Sequence, residues 1–284
     1  MDEIRDLPTI WEVSDELWLL IEPILQEDHP IRPGRTKPRG RGRPPVSWRR
    51  CLNGIIYRLR TSCQWNQLPK HFGDDSTIHR WFQRWCNHGV MEKIWALLVQ
   101  ECQELDGVHW EWQSADGSMG KARFGGEKIG KNPTDRAKMG TKRSLIVDEQ
   151  GGPLGAVIAG ANVHDTKLLE ATIEAIVVER PEPTAAEPQN LCLDKAYDNP
   201  TGTAAVNNTG YTGHVRRIGE EKKPCDVEKG HKPRRWVVER THAWLSKCRA
   251  LLVRYDKNFK NYLGLLQLAC GLIWFRRFHR LKNL

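Results

Sequence analysis

The stretch that decides the fold runs from residue 109 to residue 116 and reads HWEWQSAD, with apolar and polar side chains in alternation. Such alternation predicts a half-buried β-strand. We predict that this strand ends at Asp116 and that residues 117–119 form a loop. Two further β-rich runs, residues 144–148 and 153–159, flank the sequence EQGG, which predicts a hairpin. The region after residue 106 therefore begins with antiparallel strands.

After this strand, the sequence alternates between patterns typical of helices and patterns typical of strands. Residues 166–178 predict a helix, and residues 190–193 (NLCL) predict a short buried strand that leads directly into Asp194. A last short strand is expected over residues 211–215 and a long helix from about residue 234 to 252. This order predicts an α/β fold, of the α+β kind with a mixed sheet flanked by helices.

Three acidic residues stand out in this arrangement. Asp116 and Asp194 each follow a strand, and the two strands are expected to be neighbours. Glu239 lies on a polar stripe of the last helix, separate from its apolar stripe. The stripe consists of Arg235, Glu239, His242 and Ser246. Carboxylates are ligands that Mg²⁺ prefers, and two such ions about 4 Å apart can support a phosphodiester displacement.

Spacing alone leaves other interpretations of these acids open. An aspartate at a strand end also caps helices and forms turns, and Glu239 can pair with Arg235 at i, i+4. Three more aspartates, Asp148, Asp165 and Asp198, compete for the same role.

The charge of the chain is concentrated in three basic blocks. The 284 residues carry 44 Lys+Arg against 35 Asp+Glu, a formal net charge of +9. Residues 31–50 hold eight bases and no acid, residues 121–143 hold eight bases and two acids, and residues 231–284 hold thirteen bases and two acids. Separated basic blocks indicate a polyanion bound along several surfaces, hence nucleic acid. Solvated faces and flexible arms are the alternative explanation.

Composition excludes several classes of protein. A hydrophobic content of 39% with 28% charged residues indicates a packed core and excludes wholesale disorder. The longest apolar run, residues 262–275, is too short for a membrane span, and the acidic start MDEIRD does not resemble a secretory signal. Eight separated cysteines without a C-x-x-C pair predict reduced thiols and no structural zinc. We expect a cytoplasmic protein without membrane contact.

The first third of the chain predicts an all-α domain. Residues 30–45 (PIRPGRTKPRGRGRPP) predict a mobile basic arm, and a helical period begins at Val46. A third helix is expected from Thr77 to His88, capped by Ser76 or Asp75. Its polar face carries side chains that reach base edges and phosphates. These side chains are His79, Arg80, Gln83, Arg84 and Asn87. The pattern is that of a helix-turn-helix; a trihelical core with a basic face is the structural alternative.

Three long segments resemble a known family. The sequences SADGSMGKARFGGEKIGKNPTDRAKMGTKRSLIVD, LCLDKAYDN and RRWVVERTHAWLSKCRALLVRY resemble the acidic-residue regions of bacterial insertion-sequence transposases, in the group named after insertion sequence five. GIIYRLRTSCQWNQLPKHFGDDSTIHRWFQRW resembles the helix-turn-helix region of that group. The wider family has a Tyr, Arg, Glu, Lys signature around the glutamate, and Arg235 fits its Arg position. Lys232 stands at the Tyr position. Ser246 stands at the Lys position, with Lys247 one residue later.

The resemblance implies a domain organisation and a catalytic triad. We expect a helical DNA-binding domain over residues 1–106, a ribonuclease-H-like catalytic domain over residues 107–255, and a basic C-terminal helix over residues 256–284. The implied Asp, Asp, Glu triad consists of Asp116, Asp194 and Glu239.

The resemblance also implies a function. A DNA transposase would bind the terminal inverted repeats of its element, hydrolyse DNA at the ends with two Mg²⁺ ions (Mn²⁺ as a substitute), and join the 3′-hydroxyls to target DNA. Arg80, Gln83 and Arg84 would read the repeat. Phosphates would be held by Lys121, Arg123, Lys128, Lys131, Arg136, Lys138, Arg235, His242 and Lys247.

The expected partners and rival functions follow from the same resemblance. The partners are element-end and target DNA and further copies of the chain, as a homodimer or larger assembly at the bacterial nucleoid. The alternatives are an inactive DNA-binding repressor and a nuclease of the same fold.

Overall fold

The computed structural model describes residues 10–29, 46–215 and 234–283. The predicted basic arm, residues 30–45, therefore lies outside the described residues, as does Lys232. Within these ranges no helix has the length and apolar character needed to cross a membrane. The seven cysteines of the described ranges are free thiols, and five of them are buried.

Four helices form the first part of the described chain. They are α1 (Asp15–Asp28), α2 (Trp48–Thr61), α3 (Asp75–Asn87) and α4 (Val90–Gln103), with two short 3₁₀ turns between α2 and α3. The predicted third helix exists but begins two residues earlier than expected. Its cap is Asp74, whose Oδ1 accepts from the Ser76 and Thr77 amides at 2.9 and 3.4 Å.

A mixed sheet follows the helices. Its strands are β1 (Trp112–Ala122), β2 (Gly130–Lys131), β3 (Met139–Asp148), β4 (Pro153–Gly160), β5 (Asn190–Leu193), β6 (Thr212–Val215) and β7 (Val253–Arg254). The main order is β4-β3-β1-β5-β6, with β3 and β4 antiparallel and β5 and β6 parallel to their neighbours. Three antiparallel strands extended by two parallel ones form the ribonuclease-H-like arrangement, so the predicted fold class is confirmed.

Strand β1 is longer than the alternation of its sequence predicts. The expected loop at residues 117–119 is strand instead, because β3 pairs with β1 continuously from Gln113 to Lys121. Strand β5, in contrast, pairs with β1 only from Trp112 to Ser114. Asp116 therefore lies within β1, just beyond the point where the neighbouring strand has ended.

Helices cover both faces of the sheet. On one face lie α5 (Thr166–Glu174) and α6 (Pro200–Asn208), with Thr172 Oγ1 donating to Ser144 Oγ at 2.7 Å. On the other lies α7 (Trp236–Ser246), where Ser114 Oγ donates to the Arg234 carbonyl at 3.1 Å. Ser144 pairs with Gly117, and because side chains alternate along a strand, Ser114 and Ser144 point to opposite faces.

The long helix predicted over residues 234–252 is two helices. Helix α7 ends at Ser246, Cys248 takes an extended backbone conformation (φ −83°, ψ 103°), and α8 covers Arg249–Leu252. The break lets the chain turn into β7, which pairs with the far end of β1.

The last helix, α9 (Phe259–Lys282), joins the helical part of the chain to the sheet. It packs against α3, α4 and β4. Its Trp274 and the Trp95 of α4 both donate from Nε1 to the Pro153 carbonyl, at 2.6 and 3.0 Å. The buried apolar residues form one continuous core across both parts. The domain boundaries expected from the sequence stay predictions.

Two buried ion pairs reinforce this connection. Asp148, at the end of β3, is fully buried and accepts from Arg277 of α9 at 2.5 Å. Arg58 of α2 pairs with Asp256, which precedes α9, at 3.3 Å, and both side chains are less than a tenth exposed. A buried charge without its partner is costly, so each pair constrains where the two elements can lie.

Replacing Arg277 with Met is expected to lower the free energy of unfolding by about 3–5 kcal/mol, because the Asp148 carboxylate would stay buried without its counter-charge. Urea unfolding measures the change. Lys93→Met, which removes the exposed partner of Glu27, is the control and should cost less than about 1 kcal/mol. A loss as small as the control's would mean that backbone amides alone satisfy Asp148.

Candidate active site

Asp116 and Asp194 lie side by side on one face of the sheet. In the parallel pair of β1 and β5, Ser114 is opposite Cys192, and two more residues along each strand lead to the two aspartates. Residues in the same register of parallel strands point to the same face. That face is the one covered by α7, so both carboxylates lie beneath the helix that carries Glu239.

The Asp116 carboxyl has a raised pKa of about 6. Burial is the largest cause, and the negative charges of Asp165 and Asp194 add to it. The Gly117 amide, which donates to Asp116 Oδ1 at 2.8 Å, and the Arg235 charge act in the opposite direction. Asp116 thus has two negatively charged neighbours, and a bound cation would stabilise its ionised carboxylate.

Glu239 is exposed and bound to Arg235. The carboxylate accepts from Arg235 Nη1 at 2.5 Å, one helical turn away, and both side chains are nearly half exposed. In the described ranges no three Asp, Glu, His or Cys side chains are arranged so that they could hold a metal ion. The Glu239 carboxylate is thus engaged by Arg235 on its own helix.

His242 differs from the other predicted phosphate ligands. Its side chain is buried on α7, and its Nε2 lies 3.3 Å from the Asp116 carbonyl, to which it donates. Burial, reinforced by the Arg143 charge, lowers the pKa of His242 to about 3. The imidazole is therefore neutral at physiological pH and offers no positive charge to a phosphate. Its contact ties α7 to β1 at Asp116.

Two residues near the acids were not singled out by sequence reasoning. Tyr197, in a 3₁₀ turn just after Asp194, is buried, and its pKa is raised by burial and by the charges of Asp165, Asp116 and Asp194. Lys142 of β3 is buried and pairs with Asp165 at 2.9 Å. Tyr197 belongs to the LCLDKAYDN segment, which is the one signal that could have identified it.

The predicted basic loop lies between β1 and β3 and is exposed. Its cations Lys121, Arg123, Lys128, Lys131, Arg136 and Lys138 all face solvent. Two of them, Lys121 and Lys138, lie within 4 Å of Asp135, and Lys128 lies over the Phe259 ring. Lys247 is exposed at the end of α7. The structure thus provides a cationic surface beside the far part of β1.

The two arginines of α3 are placed differently. Arg80 is exposed and donates to Thr77 Oγ1 within its own helix. Arg84 donates to both the carboxylate and the carbonyl of Asp28 at 2.9 Å. Its guanidinium is therefore partly occupied in binding the last residue of α1. Gln83 is half-buried. Arg80 is therefore the more available side chain for reading a base.

In metal-free buffer, Asp116→Asn is expected to raise the free energy of unfolding above pH 6. The folded protein binds the Asp116 proton more tightly than the unfolded chain, so ionisation costs stability as pH rises from about 4 to above 6. Asparagine avoids this cost, a gain of up to about 3 kcal/mol that vanishes below pH 4.

Urea unfolding at pH 4 and pH 7.5, with a chelator present, measures the difference. Asp135→Asn, in the exposed loop, is the control and should bring no gain at either pH. Equal stability of Asp116→Asn and the unmodified chain at pH 7.5 would contradict the raised pKa.

Two family models match the chain. Residues 13–95 match the model described as "Putative transposase of IS4/5 family", and residues 100–274 match "Transposase DDE domain". Together they cover the helices α1 to α4, apart from residues 96–99, and all strands of the sheet.

Individual proteins give the same assignment. The chain is 34% identical over 160 residues to "Putative transposase for insertion sequence element IS402" of Burkholderia cepacia, covering 56% of this chain and 74% of that protein. It is 35% identical over 123 residues to "Insertion element IS402 uncharacterized 16.2 kDa protein" of the same species, covering 43% of this chain and 80% of that protein.

Solved structures are more distant. A crystal structure of a pre-cleavage Mos1 transpososome is 11% identical, with a TM-score of 0.27, over 86% of this chain and 82% of that chain. The catalytic domain of Mos1 mariner transposase is 11% identical, with a TM-score of 0.26, over 67% of this chain and 91% of that chain. The fold assignment accordingly depends on the strand order described above.

The family model for the catalytic domain spans more than half of the chain and includes all three acids of the predicted triad. Enzymes with this domain depend on divalent metal ions and act on DNA. The chain belongs to the DDE transposases of the IS4/5 family, enzymes that act on the DNA ends of insertion elements.

Proposed function

We propose that Asp116, Asp194 and Glu239 are the catalytic triad, that they bind two Mg²⁺ ions, and that Mn²⁺ can replace Mg²⁺. The observation that carries this proposal is the register of β1 and β5, which puts Asp116 beside Asp194 beneath the helix of Glu239. The reaction begins with hydrolysis of a phosphodiester at the element end. The freed 3′-hydroxyl then attacks target DNA.

The donor set suits this metal. Carboxylate oxygens are hard ligands, and a site of a few carboxylates leaves positions for water and substrate phosphates. Bound there, two divalent ions would activate the attacking oxygen and stabilise the leaving one. Burial and, after it, the charges of Asp165 and Asp194 raise the pKa of the Asp116 carboxyl, and a bound cation would stabilise its ionised form.

Arg235 controls when Glu239 is available. Their ion pair is half exposed, and an exposed i, i+4 pair contributes only about 0.3–0.5 kcal/mol. A DNA phosphate offers Arg235 a stronger, charge-assisted partner. Arrival of DNA therefore releases the Glu239 carboxylate toward Asp116 and Asp194, and the site is completed only when its substrate is present.

His242 holds the geometry of the site instead of binding phosphate. Its hydrogen bond to the Asp116 carbonyl sets the distance between α7 and β1. A neutral imidazole suits this task, because the buried position would penalise a charged one.

DNA contacts extend beyond the triad. Arg235, Lys247 and the cations of the loop between β1 and β3 hold the phosphates, and Arg80 and Gln83 of α3 read the terminal repeat. Joining two element ends requires at least two catalytic sites, so the active form is a homodimer or a larger assembly on DNA. Its substrate places the enzyme in the bacterial cytoplasm, at the nucleoid.

Each of Asp116→Asn, Asp194→Asn and Glu239→Gln is expected to lower Mg²⁺-dependent cleavage of element-end DNA on the order of 10³-fold, because each removes several kcal/mol of metal-mediated stabilisation. Binding of the same DNA should persist. Asp198→Asn, in the same segment as Asp194, is the control and should cleave normally.

Full activity in any one variant would remove that residue from the triad. An intact protein that binds the ends and leaves them uncut would indicate a repressor. Cleavage without joining, in a strand-transfer assay, would indicate a nuclease.

Arg80→Ala is expected to weaken binding of the terminal repeat by about 1–3 kcal/mol and to relax specificity at one base position. Electrophoretic mobility shifts with a set of single-base repeat variants measure both effects. Lys93→Ala removes an equal charge from α4 and should leave the sequence preference unchanged. Equally weakened binding of all repeat variants would indicate that Arg80 contacts a phosphate and not a base.

A further inference from the structure

Asp165 reaches the site from the opposite face of the sheet. It precedes α5, on the face away from α7. A Cβ built on Gly117 would lie 1.9 Å from Asp165 Oδ1, so the carboxylate occupies the space that a side chain at position 117 would fill. Gly117 directly follows Asp116, and its missing side chain brings the Asp165 charge next to the first residue of the triad.

The usual structural role of an aspartate at a helix start does not explain Asp165. Its side chain accepts no capping hydrogen bond from the first turn of α5. Instead Lys142 Nζ holds Oδ2 at 2.9 Å and also donates to the Val163 carbonyl at 2.7 Å. The other oxygen, Oδ1, is buried and has no hydrogen-bond partner in the described structure. Lys142 thus holds the Asp165 carboxylate by Oδ2, while Oδ1 accepts no hydrogen bond from the described residues.

A second unpartnered atom lies in the same cluster. Tyr197 is 1% exposed, and its hydroxyl has no hydrogen-bond partner among the described residues. Tyr197 ends the short 3₁₀ turn that directly follows Asp194. Burial and, after it, the charges of Asp165, Asp116 and Asp194 raise the pKa of this phenol. A buried hydroxyl and a buried carboxylate oxygen without partners are costly. Hydrogen bonds from the water shell of a bound ion would remove both costs.

We propose that Asp165 is a fourth carboxylate of the cation site, a positioning residue whose Oδ1 accepts a hydrogen bond from the water shell of a divalent ion held by Asp116. This inference rests on the proposed function of Asp116 and Asp194. Mg²⁺ and Mn²⁺ retain waters when few carboxylates bind them, and groups that hydrogen-bond those waters orient the ion. Tyr197 lies beside the same shell.

The charge balance supports this role. Asp116, Asp165 and Asp194 bring three carboxylates to one end of the sheet, where Lys142 pairs with Asp165 and the Arg235 charge acts on Asp116. Outer partners of a metal site typically contribute 10- to 100-fold in affinity. Asp165 therefore strengthens metal binding without belonging to the Asp, Asp, Glu triad.

The test is direct titration of the full chain with Mn²⁺ in the absence of DNA, with free Mn²⁺ measured by electron paramagnetic resonance. Asp165→Asn, which keeps the shape of the side chain, should weaken Mn²⁺ binding at least about tenfold. Glu170→Gln, on the same helix, is the control and should bind as the unmodified chain does. Urea unfolding in metal-free buffer checks that each variant is folded.

Asp165→Asn leaves Lys142 buried without its counter-charge, so the double variant Asp165→Asn with Lys142→Met is the second measurement. It removes both charges and should still bind Mn²⁺ weakly. Unchanged Mn²⁺ affinity in a folded Asp165 variant, with binding lost in Asp116→Asn, would overturn this inference alone. Unchanged affinity in Asp116→Asn as well would overturn the proposed function.

Discussion

Strand β1 hydrogen-bonds to β3 along nearly its whole length but to β5 only from Trp112 to Ser114. The short parallel pairing sets the register that brings Asp116 beside Asp194. The early end of β5 then leaves the neighbouring edge of β1 open beyond Ser114, and the chain passes into the turn that contains Tyr197. Had β5 continued as a strand, its backbone would occupy this space. The open edge beside Asp116 exists because β5 ends early.

Contacts across the sheet distribute the acidic residues over two layers. Helix α7 brings Glu239 and His242 to one face, and Lys142 holds Asp165 on the other. Gly117 is the point where the two layers meet, because only hydrogen separates its backbone from the Asp165 carboxylate. The electrostatics of Asp116 thus depend on residues from β1, β5 and the start of α5 together.

The sequence predicted what local patterns encode. The apolar run before Asp194, the hairpin around residues 149–152 and the helical period from Val46 all correspond to observed elements. The extension of β1 through Gly117 was missed, because its Gly- and Ser-containing composition is typical of a loop and only pairing with β3 makes it a strand. The break at Cys248 has no glycine or proline to indicate it.

Side-chain environments were less accessible to sequence reasoning. Arg84 looked like a free base-reading residue, but its partner Asp28 is 56 residues away in the chain. The neutral state of His242 results from burial and from Arg143, on a different element. Such effects depend on tertiary packing, which neither periodicity nor spacing encodes. The candidate triad could be named from the sequence because its three residues belong to long, ordered motifs, and it stays a prediction.

The buried pair of Arg58 and Asp256 has a consequence for the distance between α3 and β1. It fastens α2 to the segment before α9, while α9 packs against α3 and the sheet. Helix α3 and the strand that carries Asp116 therefore belong to one continuously packed core. Under the proposed function, this packing fixes the distance between the bases that α3 would contact and the bond that Asp116 and Asp194 would help to cut.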